Sequence, residues 1–97
     1  MPKSGFTIAC IVKDPQNRFF SDSGWDKKMD RASIFTLIQA AKKITELKRE
    51  KDLAATLRCV IQNKNFDYYD GKSWAYNLSG AKLYSHEEAV MTVSRLK

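Results

Sequence analysis

Little in this chain suits catalysis or membrane insertion, and each shortage excludes a class of function. No run of about 18 apolar residues occurs, so no segment reads as a membrane-crossing helix. The opening residues MPKSGFTIACIVKD alternate in polarity and lack the apolar stretch and small-residue cleavage site of a secretory signal, so a cytoplasmic location is expected. Only two cysteines, Cys10 and Cys59, and one histidine, His86, are present. They cannot supply the usual four zinc ligands. The phosphate-cradling patterns GxGxxG and GxxxxGK[ST] are missing, and so are HExxH and GxSxG. A non-enzyme without metal or cofactor is the expectation.

Acidic residues are also in deficit. Seventeen Lys and Arg face eleven Asp and Glu, a formal charge of +6 and a pI near 9.4. Such an excess favours polyanionic partners, because each neutralised phosphate releases counterions; modest charge also serves solubility alone. The bases are spread along the chain and form no basic tail. With 43% apolar residues, four Gly and two Pro, the 97 residues suit one globular domain, 1–97.

What the chain does have is self-similarity. Sliding it by 49 positions pairs residues 5–48 with 54–97 without a gap. Thr7/Thr56, Cys10/Cys59, Trp25/Trp74, Ala32/Ala81, Ala40/Ala89, Leu47/Leu96 and Lys48/Lys97 are then identical. Conservative pairs such as Ile11/Val60, Phe19/Tyr68, Phe20/Tyr69 and Phe35/Tyr84 fall between them. Thr36-x-x-Gln39 and Ser85-x-x-Glu88 are capping boxes in the same register, each offering a hydroxyl to an orphan helix N–H. Each unit reads as a strand (FTIACIV, ATLRCVI), a polar turn, a short hairpin ending at the tryptophan, an irregular stretch and an amphipathic helix. The expected fold is α+β. Two tandem βββα units form one antiparallel sheet, both helices pack on one face, and a pseudo-twofold axis relates the units.

Period-2 alternation points Phe6, Ile8, Cys10 and Val12, with Ala55, Leu57, Cys59 and Ile61, at the helices. Thr7, Ala9, Ile11 and Lys13, with Thr56, Arg58, Val60 and Gln62, point away. That second face is expected to be open. Lys13, Lys27, Arg58, Tyr68 and Tyr76 are the candidate binding residues on it, the aromatics to stack bases and the bases to meet phosphates. Nucleic acid or a nucleoprotein is the first partner expected. A protein partner or a homodimer seam fits the same residue types, since Tyr and Arg are common anchors.

Two tempting chemical readings lose to plainer ones. Cys10 and Cys59 are a redox couple only if the repeat brings them together, and on the core side they behave as small buried hydrophobes. Ser85-His86-Glu87-Glu88 resembles a nucleophile with its base. Yet Ser85 matches the capping Thr36, and His86 replaces Leu37, so the position does not require imidazole.

Both units carry W-x6-A-x2-[FY]-[ST]-x3-A, at Trp25, Ala32, Phe35, Thr36, Ala40 and at Trp74, Ala81, Tyr84, Ser85, Ala89. The pattern resembles one found in small proteins of phages and other mobile elements, a class that includes anti-CRISPR inhibitors. The resemblance implies inhibition of a host defence complex as one possible role and carries over no site.

Overall fold

Wherever β-branched and aromatic residues cluster, the chain is extended. The computed structural model describes residues 5–96. It runs through β1 (Thr7–Lys13), β2 (Phe19–Ser21), β3 (Gly24–Asp26), a 3-10 turn (Met29–Arg31) and α1 (Leu37–Lys51). Then follow β4 (Thr56–Gln62), β5 (Tyr68–Tyr69), β6 (Trp74–Ala75), a second 3-10 turn (Leu78–Gly80) and α2 (His86–Leu96). One six-stranded antiparallel sheet results, in the order β3-β2-β1-β4-β5-β6. No helix among the described residues is long and apolar enough to cross a membrane.

The long central strands β1 and β4 pair along their whole length, from Thr7 opposite Gln62 to Lys13 opposite Thr56. The outer hairpins join the ladder at one end each, Phe19 opposite Lys13 and Tyr68 opposite Gln62. Extended residues after each 3-10 turn take up the edge groups left free. Phe35 exchanges two hydrogen bonds with Cys10, both 2.8 Å, and Tyr84 does the same with Cys59, at 2.7 and 2.8 Å. Both helices start at the predicted boxes. The Thr36 hydroxyl accepts from Gln39 N at 3.1 Å and the Ser85 hydroxyl from Glu88 N at 3.2 Å, while the Gln39 and Glu88 side chains accept from the cap backbone. α1 stops where Asp52 turns left-handed, at φ 51.

Ala40 and Leu47 of α1 and Ala89 of α2 are buried in one cluster with Cys10, Val12, Cys59 and Ile61, the strand residues that alternation assigns to the helix side. Phe20, Trp25, Tyr69 and Trp74 pack against its margin.

The opposite face differs from expectation. Its centre is covered, not open, while Thr7 and Thr56 at its ends stay exposed. Ala9, Ile11 and Val60 are buried there against Phe19, Ala32 and Leu78, with Met29, Tyr68, Ala81 and Leu83 alongside. The reason is the hydrophobic effect: three apolar residues on adjacent strands are a patch worth a few kcal/mol of burial, and the 3-10 turns fold over it. The turns meet above the central strands, where Asp30 accepts from Ser79 N at 2.7 Å and the Ser79 hydroxyl at 3.1 Å. Gly80 allows the second turn to lie close, since a Cβ there would stand 2.8 Å from that of Ala75.

The β1–β2 turn is organised by a carboxylate whose side chain is wholly buried. Asp14 Oδ1 accepts from Gln16 N at 3.0 Å and Arg18 N at 2.7 Å, and Oδ2 from Arg18 Nε at 2.7 Å. Burial alone would raise its pKa. The Arg18 backbone and side-chain N–H groups, the Gln16 N–H and the guanidinium charge outweigh it and hold the carboxyl below its usual range. Between β4 and β5, Asn63 makes the same backbone bonds to Asn65 and Asp67 with a neutral amide. Asp14→Asn should therefore keep the turn and lose the ion pair, costing about 1–3 kcal/mol at neutral pH. A folded-state pKa below the unfolded value means the contribution is present above the ordinary Asp range and lost as pH falls through the folded value. Denaturant midpoints of wild type and variant should accordingly converge in acid.

Candidate interaction surface

Antiparallel pairing decides which predicted site residues share a neighbourhood. Lys13, the last residue of β1, lies opposite Thr56, the first of β4, and Arg58 lies opposite Ile11. Lys13 and Arg58 are thus one diagonal step apart on the face that the 3-10 turns cover, both half-buried. Lys13 also pairs with Phe19, and Phe19 with Asp26, so Lys27 follows on at the same end of the sheet. Lys28 comes next, and its N–H is held by Asp26 Oδ1 at 2.8 Å. Residues 52–55 join α1 to Thr56, which brings Arg49 and Lys51 of the last helical turn towards this end too.

The local ion pairs leave most of this charge free. Arg18 is paired to Asp14, Arg31 to Asp26 at 3.8 Å, and Lys48 to Asp52 at 3.0 Å. Among the described residues, Lys13, Lys27, Lys28, Arg49, Lys51 and Arg58 have no carboxylate in ion-pair range. At longer range Arg49 still acts on Glu46 and Arg58 on Glu88, so the lysines of this end are the charges most available to an anionic ligand.

The two predicted aromatics are elsewhere. Tyr68 pairs with Gln62 at the far end of the central strands and is half-buried against the covered face. Tyr76 follows Ala75, the partner of Tyr68, and is 89% exposed. The five candidates therefore form two groups at opposite ends: Lys13, Lys27 and Arg58 at one, Tyr68 and Tyr76 at the other.

Phe66 joins the aromatic end and was missed from sequence. It is 73% exposed and holds φ 65, a left-handed backbone that bulky residues rarely adopt. Asn17 takes the matching place in the other turn at φ 62, and Asn is a residue suited to it. A signal was available, since the turn NKNFD sets a phenylalanine where DPQNR has the asparagine.

The two cysteines are brought together. Their Sγ atoms stand 3.5 Å apart, both side chains fully buried, and burial pushes the Cys59 thiol up to about 12. No group of three or more His, Cys, Asp or Glu side chains that could hold a metal occurs among the described residues. His86 begins α2 and Ser85 serves as its cap. The chain matches no protein-family model, no curated protein and no solved structure.

Proposed function

We propose that this chain is a non-enzymatic binding module that engages nucleic acid, alone or within a nucleoprotein complex, through the basic Lys13 end of its sheet. The reading treats the fold as two tandem βββα units, 5–48 and 54–97, related by a pseudo-twofold axis between Cys10 and Cys59. Contacts that recur 49 residues apart support it: the bridges of Cys10 and Cys59, the Asp14 and Asn63 turns, and the Thr36 and Ser85 caps.

The observation that carries the function is an asymmetry between the ends. Such an axis exchanges them, placing Gln62 where Lys13 stands, Tyr76 for Lys27, Asn77 for Lys28 and Ala9 for Arg58. The scaffold therefore folds without bases at these positions, and their gathering at one end is free to serve a ligand. Phosphate contact by several such bases makes binding strongly salt-dependent. Mobility shifts on single- and double-stranded DNA and RNA test the proposal. Binding at low salt that weakens steeply as salt rises is expected; no binding, or binding indifferent to salt, would refute it.

A protein partner is the second reading, favoured by Phe66. An exposed aromatic in left-handed backbone gives the fold nothing that the Asn17 position does not, and exposed aromatics anchor interfaces. Pull-down from lysate with and without nuclease separates the readings, because a partner retained after digestion supports the second. An inhibitor of a host nucleoprotein defence complex, acting in the cytoplasm, combines both and is the role that the Trp–Ala–aromatic pattern favours.

A further inference from the structure

We propose that Cys10 and Cys59 are a latent cross-strand disulfide of the folded protein, a reversible covalent clasp between the two central strands. Cys10 and Cys59 are direct cross-strand partners. The N–H and C=O of Cys10 are both taken by Phe35, and those of Cys59 by Tyr84. Each cysteine thus turns its backbone groups away from the other, which makes this a non-hydrogen-bonded pair of the ladder. Such pairs hold their Cα atoms about 4.5 Å apart with side chains close. That spacing lies inside the range that disulfides span, roughly 4.4–6.8 Å. Both side chains point to the same face, into the cluster beneath the helices, and the sulfurs already touch at 3.5 Å. Closure needs a sulfur shift of under about 2 Å to reach bonding distance, with no change in strand register.

Neither thiol is exposed in the native state, so an oxidant reaches the pair when the strands open or before they first close. A low-molecular-weight disulfide such as oxidised glutathione supplies the oxidising equivalents. One cysteine thiolate attacks it, forming a mixed disulfide and releasing one glutathione thiolate. The second cysteine thiolate then attacks the protein sulfur of the mixed disulfide and expels the other glutathione. Two S–H bonds are lost, one S–S bond forms between Cys10 and Cys59, and the oxidant becomes two thiols once the protons are taken up. In a reducing compartment the pair rests as thiols; a shift to oxidising conditions closes it. The bond joins residues 49 apart in sequence, so its closure restricts the unfolded chain strongly.

The test is a thermodynamic comparison that burial cannot defeat. The full chain is refolded from denaturant, and separately kept in concentrated guanidinium chloride, in the same glutathione redox buffers. After acid quenching, intact mass and a non-reducing peptide map measure the fraction carrying a Cys10–Cys59 bond. Native geometry that accepts the bond raises its equilibrium constant over the denatured chain by roughly tenfold or more, and the oxidised protein melts on the order of 10 °C higher until reduced. An equal or smaller constant under folding conditions would overturn the proposal. So would mixed glutathione adducts or linked dimers as the main products, or an oxidised monomer that loses the native circular dichroism. Cys10→Ala and Cys59→Ala should each abolish the intramolecular product, and wild type alone decides the question if either fails to fold.

Discussion

Trp74→Ala should lower stability by about 3 kcal/mol, near the lower end for truncating a large buried aromatic, because the indole is half-buried. Its ring stacks on Phe6 at 5.7 Å between centroids and leans on Tyr69 at 5.1 Å. Phe6 belongs to the segment before β1, so Trp74 helps fasten an outer hairpin to the central strands, with which β5 shares one ladder pair, at Gln62. Trp25 is also half-buried and meets Phe20 edge-on at 5.4 Å, with Phe35 beyond it at 6.1 Å. Trp25→Ala should cost somewhat less, since its indole pairs with one ring rather than two. For a domain of this size the Trp74 loss corresponds to a fall in melting temperature on the order of 12 °C or more. Phe at position 74 should restore most of it by keeping the stack on Phe6. Denaturant melts of the Ala and Phe variants check this. A Trp74→Ala protein of wild-type stability that had lost binding would move the indole from scaffold to site.

Much of this scaffold was legible because it is written in local rules. Strand runs rich in β-branched residues, the hydroxyl caps at Thr36 and Ser85, and period-2 alternation each act over a few residues. Together they assign Cys10, Val12, Cys59 and Ile61 to the helix side. What escaped depends on contacts between distant segments. Ile11 and Val60 read as residues of an open face, but their apolar character was itself the sign that something must cover them. The covering turns carry no helical or strand period that would announce them. Only the meeting of Asp30 with Ser79, 49 residues apart, shows how they close.

The site was harder to read for a geometric reason. Aligning the two halves puts Lys27 beside Tyr76 on paper, but antiparallel pairing of β1 with β4 sends matching positions to opposite ends of the sheet. Positions 49 apart on these two strands therefore lie far from each other unless they are near the Cys10–Cys59 pair. Lys13 and Arg58, which a 49-residue offset does not match, are neighbours.

The basic end can be tested apart from net charge, because Lys64 offers a control. Lys27, Lys28 and Lys64 are all exposed and unpaired among the described residues. Lys64 sits in the β4–β5 turn at the aromatic end, where a Cβ on Gly5 would come within 3.9 Å of its Cβ. Replacing any of the three by Ala removes the same unit of charge. Each duplex phosphate contact adds about 0.9 to the slope of log affinity against log salt. Lys27→Ala and Lys28→Ala should each flatten that slope by about one and weaken binding roughly tenfold at low salt. The double variant should lose on the order of a hundredfold, if the two sites act independently. Lys64→Ala should leave the slope unchanged. Equal losses in all three single variants would mean that affinity follows net charge and that no particular end of the sheet binds. A loss confined to Lys64→Ala would move the anionic contact to the aromatic end, beside Phe66 and Tyr76. Arg58→Ala extends the comparison to the sheet itself: Arg58 is only half-buried and makes no ion pair among the described residues, so the variant should fold. Its loss of affinity would then report a ligand contact made by the guanidinium.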